Sequence, residues 1–172
     1  MSTTLNTVVN FSVVANVRQA NDGGTANATH STNLSELLFG QGVGFNQARW
    51  AFSDLRTLAA SANEDLDLVG GFTDGLGNVV SPAKCKMLII LNYSTSQTLL
   101  LKKAASNGAA FLLNGSTDSI YIPAAASDNS PGIFFWQAPQ GGTTLVASTG
   151  DLLNMANPSG DSASYKIIFV GI

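Results

Sequence analysis

From Lys84 onward, short apolar runs alternate with clusters of Gly, Asn, Ser, Asp and Pro. The runs are Cys85–Tyr93, Thr98–Lys102, Ala109–Leu113, Ser119–Ile122, Ile133–Gln137, Thr143–Ala147, Asp151–Met155 and Tyr165–Val170. Each has the length of a strand, and each is bounded by residues that turn the chain. Three earlier segments extend the series. Residues 4–17 are rich in β-branched residues and partly alternating, and residues 64–69 put Leu66 and Leu68 on one face and Asp65 and Asp67 on the other. Residues 48–60 fit either a strand, through Trp50 and Phe52, or a helix, through Phe52, Leu55 and Leu58; the β-rich remainder favours strand. About ten or eleven short strands with regular turns predict an all-β antiparallel sandwich or barrel.

Between the first segment and the rest the pattern stops. Arg18 to Asn33 contains no Val, Leu, Ile or aromatic residue, so it has nothing to bury and is expected to be a loop or linker. Asn33-Leu34-Ser35-Glu36 resembles a helix capping box and predicts a single turn ending at Gly40. Residues 1–47 are therefore read as an N-terminal extended arm and linker, and residues 48–172 as the β-sandwich domain.

Several strands lack the usual alternation and are apolar on both faces. Leu88–Leu91, Leu99–Leu101, Ile133–Trp136 and Ile167–Val170 are continuous apolar runs. Phe134 and Trp136 point one way, Ile133 and Phe135 the other. One face fills a core, and the second must be covered by a loop, by the N-terminal segment or by another subunit. Leaving both Phe134 and Trp136 in water would forfeit several kcal/mol, at about 25 cal/mol per Å2 of apolar area. An oligomer or assembled lattice is expected. The candidate interface residues are Val8, Phe11, Val13, Trp50, Phe52, Phe134 and Trp136.

Composition sharpens this picture. Of 172 residues, 45% are hydrophobic and only 11% charged, against about 25% charged in ordinary soluble domains. Ser, Thr, Asn and Gly fill 64 of the 172 positions, so hydroxyls, amides and backbone must do the work of a charged surface. With a net charge of −3, the chain offers no general attraction to phosphate, and no nucleic-acid partner is expected. No apolar run approaches the roughly 18 residues of a membrane span, so no membrane partner is expected either. The N-terminus carries no basic stretch followed by an apolar one, which predicts no secretory signal.

Candidate chemistry is sparse. Cys85 is the single cysteine, which excludes an internal disulfide and any multi-cysteine zinc site; its setting predicts a core residue. His30, the single histidine, lies in the apolar-free segment without a scaffold to orient it as a general base. Glu64, Asp65 and Asp67 form the one dense acidic cluster. Asp65 and Asp67 on one strand face could help bind Ca2+, but a charged solvent face is the commoner use of such a pattern. No catalytic residues, cofactor or metal are expected, and the chain is read as non-enzymatic. Two classes remain: a structural shell protein, or a carbohydrate-binding module in which Trp50, Trp136 or Tyr121 stacks on sugar rings.

The segment Ser53-Asp54-Leu55-Arg56-Thr57-Leu58-Ala59-Ala60-Ser61-Ala62-Asn63-Glu64-Asp65-Leu66-Asp67-Leu68 carries a more specific signal. With Phe72-Thr73-Asp74-Gly75-Leu76-Gly77-Asn78, Lys103-Ala104-Ala105-Ser106-Asn107 and Ser148-Thr149-Gly150-Asp151-Leu152-Leu153, it resembles small virion structural proteins of tailed bacteriophages. The resemblance covers residues 53–172. Gly75-Leu76-Gly77 stands where the family has Ala-Phe-Gly, which keeps the turn but loses an aromatic contact. It implies a jelly-roll-like sandwich acting as a capsid decoration or cement protein, with the major capsid protein and copies of itself, as a homotrimer, for partners. It further implies residence on the capsid surface of the virion after synthesis in the host bacterial cytoplasm. The alternative within this setting is a tail, neck or fibre component, or a carbohydrate-binding sandwich for host recognition.

Overall fold

The computed structural model describes residues 5, 7–21, 24–115, 117–127, 129–158 and 160–172. Among these residues the regular structure is entirely β. In chain order the strands are β1 (Thr7–Asn21), β2 (Gly24–Gln41), β3 (Gln47–Ala48), β4 (Trp50–Leu58), β5 (Asn63–Asp67), β6 (Phe72–Thr73) and β7 (Val79–Val80). They continue with β8 (Lys84–Asn92), β9 (Leu99–Lys103), β10 (Ser119–Ile122), β11 (Gly132–Gln137), β12 (Thr143–Thr144), β13 (Leu152–Ala156) and β14 (Ala163–Gly171).

Eight strands build an antiparallel sandwich. One sheet runs β11-β8-β14-β4, with the short β12 also paired to β8, and the other runs β10-β9-β13-β5. Leu88, Ile90, Tyr165, Ile167 and Phe169 from the first sheet share one core with Leu66, Leu99, Leu101, Leu153 and Met155 from the second. All ten are fully buried, each stabilising the fold by about 1.5–3 kcal/mol relative to exposure. Buried Asn92 ties the end of β8 to the opposite sheet, its Nδ2 donating to the backbone oxygens of Gln97 at 2.7 Å and Pro123 at 2.9 Å. At the neighbouring start of β11 only glycine fits, because a Cβ on Gly132 would lie 1.9 Å from the Pro123 carbonyl oxygen.

The pairing has a simple logic. β4 pairs with β14, β5 with β13, β8 with β11 and β9 with β10. These are the pairs of one long hairpin closed between β9 and β10, rolled up so that alternate pairs fall in opposite sheets. Two further ladders, β14 with β8 and β13 with β9, seal each sheet.

The N-terminal region departs from expectation. Of the segment expected to be a linker, residues 18–21 end β1 and residues 24–33 open β2, and the expected helical turn after Asn33 also lies in β2, an 18-residue strand paired with β1 from Thr7 opposite Phe39 to Asn21 opposite Gly24. At about 3.4 Å per residue, the 15 residues of β1 make a ribbon roughly 50 Å long. A ladder is held by backbone hydrogen bonds, which Thr, Asn and Ser supply as well as Val does, and the absence of apolar residues did not prevent pairing. Thr29 Oγ1 adds a side-chain bond to Asn16 Oδ1 across the ribbon at 2.8 Å. The run Ala109–Leu113 also forms no strand. Phe111 and Leu112 instead pack as a half-buried loop against the sandwich core.

Candidate functional site

The two outer faces of the sandwich differ in chemistry. On the β11-β8-β14-β4 sheet the register generates three cross-strand rows. The first is Ile133, Leu91, Lys166, Leu55; the second is Phe135, Ile89, Ile168, Ser53; the third is Gln137, Met87, Val170, Ala51. These residues point away from the core because they alternate along their strands with the inward-facing Leu88, Ile90, Ile167 and Phe169.

The middle of the third row, Met87 and Val170, is covered from within the chain. Phe39, near the end of β2, forms a small second core with Met87, Val170 and Ala48, against which Leu5, Ile89, Ile168 and Ile172 pack. Phe39, Met87 and Val170 are sealed from solvent, whereas Ile133 is 58%, Leu55 65% and Phe135 40% exposed. The hairpin root therefore covers one end of an apolar face and leaves the other open.

The root is fastened by a buried cation. Gly171 pairs with Cys85 and Val170 with Met87, so Lys86 is the extra residue of a bulge. Bulges re-aim side chains. Lys86, wholly buried, donates its ammonium hydrogens to the carbonyl oxygens of Gly44 (3.2 Å), Pro139 (3.0 Å) and Gln140 (3.2 Å). Burial, with a smaller contribution from Lys84, lowers its pKa below the ordinary lysine value. Asn46 N adds a bond to the Pro139 oxygen. Within the same loop Gly42 has φ +144°, a backbone conformation that favours glycine. Val43 and Phe45 of this loop are exposed.

The opposite face is polar. Ser119, Lys102, Asn154 and Asp65 form one of its rows, and Asn154 Nδ2 donates to Asp65 Oδ1 at 2.8 Å and Asn63 Oδ1 at 3.1 Å. Tyr121 stands exposed on the same face. The acidic cluster of residues 64–67 is divided among different tasks. Glu64 turns inward to Tyr165 and Arg56, Asp65 takes Asn154, and Asp67 Oδ1 accepts the Val69 amide at 2.9 Å. Among the described residues no group of three or more His, Cys, Asp or Glu could hold a metal ion. Cys85 is fully buried, and burial raises its thiol pKa far above the usual range.

The residues expected at an interface are distributed as follows. Phe52 is a core residue, 9% exposed and stacked on Phe72 with ring centres 4.2 Å apart and planes 3° apart. Trp50, Phe134 and Trp136 are half-buried and pack against the same core, Trp136 against Phe111 at 4.9 Å. These aromatics lie on the inner side of their strands, and the opposite parity carries the exposed apolar face. The backbones of Val8, Phe11 and Val13 lie in β1, and their side chains fall outside what the structure describes. Ile133, Phe135 and Leu55 were missed as surface candidates, although the unbroken apolar run in β11 already signalled a second face.

No helix among the described residues is long and apolar enough to cross a membrane. No protein-family model matches the chain, and no curated protein matches it.

Proposed function

We propose that this protein is a non-enzymatic structural component of a tailed-bacteriophage virion, a jelly-roll decoration or cement protein that binds the assembled capsid shell and stabilises it. The observation that carries the reading is the half-covered apolar face. Ile133, Phe135 and Leu55 remain open on the face where the hairpin root seals Met87 and Val170. Isolated exposed apolar residues are ordinary, but an aligned set on one sheet face suits a protein surface. The rolled-up pairing of the eight strands and the sequence resemblance over residues 53–172 support the same reading. The partners it implies are the major capsid protein and further copies of this chain, as a homotrimer on the capsid surface, assembled after synthesis in the bacterial cytoplasm.

A protein of this kind works by mass action. It binds the assembled lattice in preference to loose coat subunits, and thereby shifts the equilibrium toward the intact particle. The ribbon of β1 and β2 makes a second contact with the lattice intramolecular, which raises avidity.

Co-sedimentation with empty capsids of the parent phage tests the reading, with unassembled coat protein as the control. Binding to shells but not to loose subunits is expected, together with a higher temperature of shell rupture. Replacing residues 14–31 by Asn-Gly preserves the pairing of residue 13 with residue 32 and closes a shorter hairpin with a favourable turn. That variant is expected to fold and to bind shells more weakly. Absence of co-sedimentation at micromolar concentration would sink the capsid reading.

A further inference from the structure

A shallow cavity of about 390 Å3 lies where the hairpin root, β4 and the β6–β7 turn meet. Leu5, Gln41, Arg49, Trp50, Asp74 and Asn78 line it. Its size falls within the range of small-ligand sites. Trp50 packs on the main core with part of its surface and lines the cavity with another part. Around the indole stand four planar polar groups: a guanidinium, a carboxylate and two carboxamides.

Two of these groups are held in place. Asp74 Oδ1 accepts the amides of Asn78 at 2.8 Å and Leu76 at 2.9 Å, and its Oδ2 accepts Asn78 Nδ2 at 3.1 Å. These bonds, led by the Asn78 amide, hold its pKa below the usual carboxylate range and keep it ionised. Gly77, at φ +85°, donates its amide to the Asp74 carbonyl and completes the turn. The Arg49 backbone is anchored through its amide to the Gly171 carbonyl at 2.9 Å, while its side chain forms no ion pair among the described residues.

We propose that this cavity is a saccharide-binding site that takes a neutral pyranose ring, stacked on Trp50 and read through its hydroxyls by Asp74, Asn78, Gln41 and Arg49. A pyranose has a C–H face that packs on an aromatic plane and a rim of hydroxyls that both donate and accept. A carboxylate accepts from adjacent hydroxyls, a guanidinium donates to them, and carboxamides do both. A purely apolar ligand would cover the Arg49 guanidinium without giving it an acceptor, and a phosphate or carboxylate would meet the charge of Asp74. The pre-set carboxylate lowers the ordering cost of binding. This site does not depend on the capsid reading, and each can fail without the other.

Titration of the full chain with the methyl glycosides of glucose, galactose, mannose and N-acetylglucosamine tests the site, followed by the indole N–H resonances of Trp50 and Trp136. At least one sugar is expected to shift Trp50 saturably, with a dissociation constant of about 1 mM, while Trp136 stays in place. Asp74→Asn keeps an acceptor for the turn, and Arg49→Gln keeps a planar amide. Each is expected to weaken binding about tenfold, because a hydrogen bond to a charged group is lost. Tyr121→Ala, on the polar face of the other sheet, is expected to leave the titration unchanged. Methyl glucuronide is expected to bind more weakly than methyl glucoside. The proposal is overturned if no sugar shifts Trp50, if both cavity variants titrate like the parent chain, or if the glucuronide binds as well as the glucoside.

Discussion

Tyr165 of β14 donates its phenolic hydrogen to Glu64 Oε1 of β5 at 2.7 Å, a bond that crosses from one sheet of the sandwich to the other. The second Glu64 oxygen takes Arg56 Nη1 at 2.6 Å, and the Arg56 guanidinium lies 5.4 Å from the Phe72 ring centre. Tyr165→Phe removes the donor and leaves the Glu64 oxygen short of a partner. The expected cost is about 1–3 kcal/mol, read as a lower urea midpoint at an unchanged m-value.

The same tyrosine makes the fold sensitive to alkali. Burial and, secondarily, the Glu64 bond raise its pKa far above the ordinary tyrosine value of 10.0. Above about pH 10 the unfolded chain releases this proton and the folded chain keeps it. The unfolded state then binds fewer protons, so stability is complete below that pH and falls as pH rises beyond it. Denaturation at a series of pH values between 8 and about 11 is expected to show this fall, with a shallower slope in Tyr165→Phe.

Cys85 adds an earlier component of the same sign. Burial raises its folded pKa above the ordinary thiol value of 9.0, so the unfolded thiol ionises first and stability begins to decline near that pH. The native thiol is expected to be inert to Ellman's reagent at neutral pH and to react at the rate of unfolding. Prompt stoichiometric labelling of the folded protein would contradict its burial. Cys85→Ala should remove the decline between about pH 9 and 10 while leaving the tyrosine component.

The two ends of the outer apolar face should respond differently to substitution. Met87→Ala, beneath Phe39, opens a cavity and is expected to cost about 2–5 kcal/mol. Leu55→Thr together with Ile133→Thr alters residues already in water and is expected to change stability by only about 0.5 kcal/mol. The same pair should reduce self-association in sedimentation velocity and weaken attachment to shells.

Lys86 is expected to govern the hairpin root. Lys86→Met fills much of the same space but leaves the carbonyls of Gly44, Pro139 and Gln140 without their donor, at a cost of about 1–3 kcal/mol. Faster amide exchange at Asn46, whose N–H donates to Pro139, and proteolysis within residues 42–47 would report the loosened root. Unchanged exchange there would show that the loop holds without the ammonium.

Much of the sandwich was legible in the sequence because apolar period and turn residues agree along it. Ser119–Ile122 is a strand with the expected bounds, and Lys84–Asn92 and Ala163–Gly171 differ from expectation by a residue or two. Residues 4–17 were legible as extended chain, but their pairing partner was not, because residues 24–33 contain no Val, Leu, Ile or aromatic residue to mark a face. Asn33-Leu34-Ser35-Glu36 has the local pattern of a helix start, yet pairing with β1 overrides it. The outer face was legible as a requirement but not as residues. Large aromatics suggested an interface, whereas parity in β11 sends Phe134 and Trp136 inward and exposes Ile133 and Phe135. Leu5, Gln41, Arg49, Trp50, Asp74 and Asn78 meet only through the fold, and no local spacing announces their cavity.

Because β14 lies between β8 and β4, the first and last strands of the sandwich are neighbours. A ribosome must deliver residues 163–171 before this sheet can be completed, so β4 leaves the exit tunnel long before its partner in the sheet exists. β8, apolar on both faces, then has β11 on one edge and waits with the other edge open, a condition in which unfinished chains stick to one another. Pairing so distant in sequence also makes closure slow. Folding is therefore expected to follow synthesis as a single late event, and holdase chaperones should find their target in nascent chains that have exposed β8 but not yet β14.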